Sequence, residues 1–310
     1  MKTILISGCA GFIGQNLILS LIKDYNVIGI DNFISSNKKH FARFSNLENF
    51  KFYELDIINE VEINDKIDYI FNLACPASPP KYQAHSIFTL ETNFIGTHNL
   101  LKLAKKNNSI FIQASTSEIY GDPEVHPQKE NYNGNVNING PRSCYDVGKR
   151  IAETLCYEYR QKYKLQTRVV RIFNTYGPGM DPNDGRVISN FLRNILINQP
   201  LEIYGNGLQT RSFCYVDDLI SALCKCMHVD FPSPINIGND NEISLNELAE
   251  ILFDKYGKKK IIYTKAHIDD PKLRKPDINR AKEILKWFPS TPIDKGIEST
   301  YSYFKDRLSN

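Results

Sequence analysis

The sequence predicts an α/β fold built on a doubly wound parallel sheet, and three observations carry that expectation. Short apolar runs of strand length alternate with longer stretches whose apolar residues recur at helical spacing. A glycine loop, GCAGFIG at 8–14, directly follows the first run and opens an amphipathic stretch. An aspartate, Asp31, closes the second run. In order, TILIS (3–7) reads as a buried strand, FIGQNLILSLIKDY (12–25) as a helix and NVIGI (26–30) as the next strand. KFYEL (51–55) and DYIFNL (68–73) are further strands, and helical spacing resumes from about Gln83 to Lys106. SIFIQAS (109–115) is strand, Tyr145 to Tyr163 helix, and TRVVRIF (167–173) strand again. Strands joined through helices in this way form parallel β-α-β units.

After about residue 173 the rhythm changes. LEIYG (201–205), PINIG (234–238) and KIIYT (260–264) are short strands among longer loops and helices. SLNELAEILFDKYG (244–257) opens with Ser244 and carries Glu247 three residues on, the pattern of a capping box, and Gly257 stops it. GKKK (257–260) reads as a solvated turn. The expected organisation is a first domain over 1–172 and a smaller α/β substrate domain over 173–310, the two interleaved near an approximate boundary and enclosing a cleft.

The 310 residues are 42% apolar and 24% charged, ordinary for a soluble protein of about two domains. A net charge of +3 gives no electrostatic case for nucleic acid. No apolar run reaches membrane-span length, so no membrane partner is expected, and the first residues, MKTILISGCAGFIG, lack a signal-peptide cleavage pattern. Seven cysteines without metal-ligand spacing read as reduced thiols in a cytoplasmic protein, with no metal expected.

The glycine loop sits between a strand and a helix, the context that gives such a triplet meaning. Gly8 allows the tight turn, Gly11 lets the backbone approach a pyrophosphate, and Gly14 lets helix and strand pack closely. The helix N-terminus favours the phosphate charge. Asp31 is placed to hold a ribose 2′-hydroxyl and repels a 2′-phosphate, so the cofactor expected of this Rossmann-type domain is NAD rather than NADP. Asp56, after the third strand, is placed to cap the adenine.

ASTSEIYG (114–121) ends an apolar strand at the carboxyl edge of the sheet. Consecutive polar residues are costly at a buried strand end unless they bond to something, so Thr116, Ser117 and Glu118 are candidates to grip a substrate; a polar loop with a helix cap is the other reading. In SCYDVGKR (143–150), Tyr145 and Lys149 are one helical turn apart. A lysine cation beside a phenol favours the phenolate, so the pair is either a tuned base or two solvated side chains, and spacing alone does not choose.

The glycine loop, the STSE strand end and Tyr145-x-x-x-Lys149 together resemble the extended short-chain dehydrogenase/reductases, and most closely the UDP-glucuronate decarboxylases (UDP-xylose synthases). LACPASPPKY (73–82), STSEIYGDPEVHPQ (115–128), GPRSCYDVGKRIAET (140–154), RIFNTYGPGM (171–180), DGRVISNF (184–191), QTRSFCYVDDL (209–219) and RKPDI (274–278) spread the resemblance over essentially the whole chain. It implies that Tyr145 transfers the proton, that Lys149 lowers its pKa and holds the nicotinamide ribose, and that Thr116 bonds the sugar's 4-hydroxyl. Ser117 and Glu118 are implied to act after oxidation, and Arg274 near the carboxyl end of the sugar. Around the cofactor it adds Phe12, Ile13, Asn32, Ile57, Leu73, Ala74 and Thr92 to the residues above. For the nucleotide sugar it implies Pro76, Tyr82 and Glu91, with Asn174, Arg186, Tyr204 and Arg211 at the diphosphate end. The family usually carries lysine in place of Glu91 and arginine in place of Gly179, so Glu91 is expected to reverse the charge beside the substrate. The resemblance also implies a homodimer joined through a four-helix bundle.

The expected reaction is C4 oxidation of a nucleotide-linked sugar, with UDP-glucuronate decarboxylated to UDP-xylose. Ser117 stands where related 4,6-dehydratases have an acid that protonates a leaving hydroxyl, and Glu118 where 4-epimerases usually have a small or apolar residue. The alternatives are a C4 oxidoreductase, 4-epimerase or 4,6-dehydratase acting on a neutral UDP, dTDP or GDP sugar, and, in another class, an inactive NAD-binding regulator.

Overall fold

The computed structural model describes residues 1–44, 46–257, 260–265 and 273–309. Part of the turn expected at 257–260 lies outside these residues. The central sheet is parallel throughout. Its strands are β1 (Thr3–Ser7), β2 (Asn26–Asp31), β3 (Phe50–Glu54), β4 (Tyr69–Asn72), β5 (Ile110–Thr116), β6 (Thr167–Ile172) and β7 (Ile235–Ile237), in the spatial order β7-β6-β5-β4-β1-β2-β3. The order reverses between β4 and β2, on either side of β1, which opens a crevice at the carboxyl ends of the strands. β1, β4 and β5 are almost wholly buried, as a sheet covered on both faces requires.

Helices cover the two faces. α1 (Phe12–Leu21) and the helix Val216–Cys226 lie on one, where Leu17, Ile18, Leu219 and Leu223 pack with Ile4 and Ile6 of β1. The helices Thr97–Asn107 and Ser143–Tyr163 lie on the other, with Leu100, Leu101, Ala104 and Cys156 against Leu5, Ile70 and Phe111. A separate apolar cluster holds the smaller unit together. It joins Phe191 of the helix Val187–Leu196, Leu201 and Ile203 of the strand Leu201–Tyr204, Leu248 and Leu252 of the helix Leu245–Tyr256, and Ile297 and Phe304 of the helix Ile293–Ser309. The helix Leu245–Tyr256 has both hydrogen bonds of the Ser244–Glu247 capping box.

Two elements differ from the sequence expectation. The helix read over Gln83–Lys106 is three pieces, Ser86–Glu91, a π-helical turn at Thr92–Gly96, and Thr97–Asn107, preceded by a short helix at Pro79–Ala84. A π turn inserts one residue into an otherwise regular helix, which an apolar-periodicity argument averages away. Here Gly96 faces Ile57, whose side chain a Cβ would approach within 2.6 Å. PINIG is the second difference. Its residues 235–237 pair with β6 and form the edge of the main sheet, so a cut between 172 and 173 runs through that sheet. Asn236, fully buried in β7, accepts a hydrogen bond from Tyr120 Oη at 2.8 Å and donates to the carbonyls of Gln128 and Asp277.

Candidate active site

The carboxyl ends of β1, β5 and β6 open into a cavity of about 930 Å³ that extends to the last helix. This is near the upper end of the roughly 300–1,000 Å³ typical of small-molecule sites. A smaller hollow of about 70 Å³ adjoins it, both being lined by Gly8, Gly11, Leu73 and Cys75.

The glycine loop forms the shared wall. Gly8 has φ +72°, and a Cβ there would lie 2.7 Å from the backbone of Leu73 and Ala74. A Cβ on Gly14 would lie 2.4 Å from the Gly8 carbonyl, so α1 can begin this close to the strand only with glycine. The Asp31 carboxylate accepts from the Ala10 and Phe33 backbone N–H groups at 2.9 and 2.8 Å and from Ser36 Oγ at 2.9 Å. Burial raises its pKa above the usual carboxylate value, while those hydrogen bonds oppose the rise. Asn32, Asp56, Ile57, Ala74, Pro76 and Thr92 complete the small hollow with Asp31. Asp56 is fixed by Asn32 Nδ2 at 3.1 Å and the Ile58 N–H at 2.9 Å. Phe12, Ile13 and Gly14 line the larger cavity at the N-terminus of α1. A loop packed to backbone contact, a helix N-terminus and a carboxylate at the end of β2 fit a dinucleotide pyrophosphate and its ribose. Removal of the Asp31 carboxylate (Asp31→Ala) is therefore expected to narrow the preference for NAD over NADP in a binding titration; an unchanged preference would reduce Asp31 to a loop fastener.

β5 brings the chemistry to the centre of the crevice. Thr116, its last residue, accepts the Glu118 N–H at 3.2 Å and caps the short turn Ser117–Tyr120, so three polar side chains crowd one strand end. Tyr145 lies in the first turn of the helix Ser143–Tyr163, buried, with the Thr116 side chain near enough to its hydroxyl to favour the phenolate. The Tyr82 ring stacks on it, centroids 5.1 Å apart and planes 8° from parallel. One turn on, Lys149 Nζ donates to the Ala114 carbonyl at 3.0 Å and lies 5.8 Å from the Tyr145 ring centroid.

The expected depression of the Tyr145 pKa by Lys149 is not what this arrangement gives. Burial pushes the phenol well above its ordinary value, against the Thr116 side chain and the Arg186 charge, so Tyr145 is protonated at rest. The Lys149 charge acts on the neighbouring Cys75 thiol, opposing the rise that burial imposes there.

Glu118 is held between two cations, Arg142 and Arg274. Burial favours its neutral form, but the two guanidinium groups outweigh burial and hold its pKa at about 2. Arg274 is 2% exposed and lies behind Glu118, outside the cavity lining. It donates to Ser117 Oγ and to the Gly121 carbonyl, each at 3.2 Å, and so does not face the sugar-sized space as the sequence reading had it. Arg142, which that reading passed over, lines the cavity. The signal was present, because a cation at the start of a helix opposes the helix dipole and needs another reason to be there.

Asn174, Arg186, Tyr204 and Arg211 all line the cavity. Arg186 is oriented by Asp184, whose Oδ2 accepts from Nη2 at 2.9 Å. Glu91 is a correction. It is exposed on the helix Ser86–Glu91 and lines neither the cavity nor the hollow, although Phe88 and Thr92 of the same stretch do line the hollow. Gly179 does line the cavity, at φ +94°, where a Cβ would lie 2.8 Å from Asn16 Nδ2.

The family model described as GDP-mannose 4,6 dehydratase matches residues 5–300. The chain is 45% identical over 311 residues to UDP-glucuronic acid decarboxylase 1 of Xenopus tropicalis, covering 100% of this chain and 73% of the relative. UDP-glucose 4-epimerase from Thermotoga maritima, solved with UDP-glucose, superposes with a TM-score of 0.90 at 29% identity, over 99% of this chain and 100% of that one. UDP-glucuronic acid 4-epimerase from Bacillus cereus, solved with UDP-glucuronic acid and NAD, gives a TM-score of 0.88 at 28% identity, over 99% and 100%.

Proposed function

Because the chain belongs to the extended short-chain dehydrogenase/reductases, in the family described as GDP-mannose 4,6 dehydratase, we propose that it is an NAD-dependent enzyme that decarboxylates UDP-glucuronate to UDP-xylose. The observation that carries the choice of reaction is the grouping of Glu118, Arg142 and Arg274 beside Ser117. One carboxylate between two guanidiniums leaves a surplus of positive charge at the strand end, which suits a sugar bearing a carboxylate. The same grouping keeps Glu118 ionised, and Ser117 is no acid, so neither is a proton donor to a leaving hydroxyl as a dehydratase requires.

In this reading Thr116 and Tyr145 hold the C4 hydroxyl; Tyr145 releases its own proton to solvent as the ligands bind, and the phenolate then takes the proton of the C4 hydroxyl. NAD, which Gly8, Gly11, Gly14 and Asp31 would hold, would supply reversible hydride acceptance at C4. Lys149, fixed to the Ala114 carbonyl, presents its charge near the phenol as that proton moves. Oxidation at C4 makes the sugar a β-keto acid. The C5–carboxylate bond then breaks, its electron pair flows into the C4 carbonyl, and carbon dioxide departs. Glu118, unable to donate a proton itself, orients the water that protonates C5. Tyr145 gives its proton back as C4 is reduced.

The deciding experiment mixes the enzyme with UDP-glucuronate and, separately, with UDP-glucose, and follows carbon dioxide and product mass. Release of carbon dioxide with UDP-xylose is expected. A 4-epimer or a 4-keto product without carbon dioxide would replace the reading with C4 chemistry alone, and absence of turnover on any nucleotide sugar would leave an NAD-binding regulator.

The assembly proposed is a homodimer in the cytoplasm. Ile87, Leu90 and Phe94 follow one another at helical spacing and are 72%, 37% and 49% exposed, and Tyr157 on the neighbouring long helix is 57% exposed. Together they form an apolar face larger than an isolated subunit needs. Light scattering should give about twice 35.6 kDa at micromolar concentration, and a mass of one subunit would rule the dimer out.

A further inference from the structure

The last helix, Ile293–Ser309, carries no motif and no role in the chemistry above, yet two of its side chains, Tyr303 and Arg307, line the cavity. They are one helical turn apart and share a face. The Arg307 guanidinium lies over the Tyr303 ring, 5.7 Å from its centroid, so the two planar groups are held together as a cation–π pair in the lining. Phe304, next to Tyr303, is fully buried in the same apolar cluster as Leu201 and Ile203. Those two residues alternate with Glu202 and Tyr204, which by strand periodicity face the other way, and both of the latter line the cavity. The helix is thus anchored beside the strand Leu201–Tyr204, with Lys265 at that strand's neighbour also reaching the lining.

Position along the cavity decides what these residues meet. Arg186, an arginine suited to phosphate oxygens, lines the same cavity as Tyr145, and its charge reaches the phenol. A nucleotide sugar running outward from Tyr145 places its diphosphate by Arg186 and its nucleoside beyond. We propose that Tyr303 and Arg307 form a nucleoside subsite, a stacking wall for the base and ribose opposite Tyr204, with the donors of Arg307 directed to base carbonyl oxygens. Uracil, with two carbonyls flanking one N–H, matches a wall that has cationic donors better than adenine, which has no carbonyl. The inference deepens the nucleotide-sugar reading and rests on it.

The alternative for Arg307 is a cation in the last turn that complements the helix dipole. Calorimetric titration of UDP, UMP and inorganic pyrophosphate separates the two, with NAD affinity and melting temperature confirming that each variant is folded. Tyr303→Ala and Arg307→Ala should each weaken UDP and UMP by roughly five- to a hundredfold, the range of losing one base-stacking partner, and weaken pyrophosphate much less. Arg307→Lys, which keeps the helix-end charge but not the flat fork, should restore the melting temperature and not the UDP affinity. Wild-type UDP affinity in the alanine variants, full rescue by lysine, or an equal loss for pyrophosphate would each overturn the subsite. A wild-type enzyme that binds no UDP would instead remove the nucleotide-sugar reading beneath it, a result visible before any variant is made.

Discussion

Tyr145→Phe should abolish oxidation at C4 while leaving NAD bound. The substitution removes one oxygen from a side chain whose ring is otherwise fixed by the Tyr82 stack and by burial, so the fold has little reason to change. Lys149 keeps its bond to the Ala114 carbonyl and Thr116 loses only the phenol oxygen as neighbour. What disappears is the proton acceptor, and removal of a general base typically lowers rates by ~10²–10⁴. The measurement is turnover on UDP-glucuronate beside an NAD titration. More than half of wild-type turnover in the variant would show that another group, or water, takes the proton. Because the resting phenol is held protonated by burial, the lysine alone does not prepare the base. The remaining assistance has to arrive with the ligands, whose entry displaces water and brings their own charges to Tyr145.

Glu118→Gln should be costly in a second way. Arg274 is buried, and Glu118 is its ionic partner beside the neutral Ser117 and Gly121 contacts. Removing one member of a buried pair leaves an uncompensated charge, which typically costs 3–5 kcal/mol. We expect a loss of roughly that size in denaturant unfolding, together with loss of carbon dioxide release. Its dependence on pH follows from the direction of the Glu118 shift. A carboxyl held at about 2 in the folded state, against about 4.5 when free, contributes stability that is complete above pH 4.5 and is lost as pH falls toward 2. Wild type should therefore lose stability more steeply than Glu118→Gln across that window, and the two unfolding curves should converge at its acid end. Parallel curves would mean that the pairs contribute little. A Glu118→Gln, Arg274→Met double variant that regains stability over the single one would identify the stranded arginine as the source of the cost.

The sequence was readable where a residue's position along the chain also determines its direction. Gly8 to Gly14 and Asp31 are of that kind, because a strand followed by a turn and a helix leaves them one place to go, and the same holds for Thr116 at the end of an apolar strand. Tyr145 and Lys149 share a helix face by spacing alone. Direction is what motif matching lacks elsewhere. Glu91 is one residue from Thr92, which lines the small hollow, yet it points outward. Arg274 reaches the right strand end but gives its charge to Glu118 from behind. PINIG has the pattern of any short buried strand, and only pairing decides which sheet it joins. Its single polar member, Asn236, was the clue, since an amide enclosed in a strand needs partners, and its partners come from the loops after β5 and after Arg274. Tyr303 and Arg307 carry no local signature, because a helix that contributes two side chains to a distant wall looks like any other amphipathic helix.

The placement of β7 bears on how this chain can be taken apart. A fragment ending at Ile172 would keep β1 to β6 yet leave the second half of β6, Val170 to Ile172, as a bare edge, with the ladder groups facing β7 unpaired. Such an edge invites pairing with another copy. The nucleotide-holding half of the molecule is therefore not a module that evolution or an engineer can lift out and graft. It is finished only after some 60 further residues have been made and three of them have come back to it, so any recombination that exchanges the sugar-binding portion has to bring a compatible edge strand along.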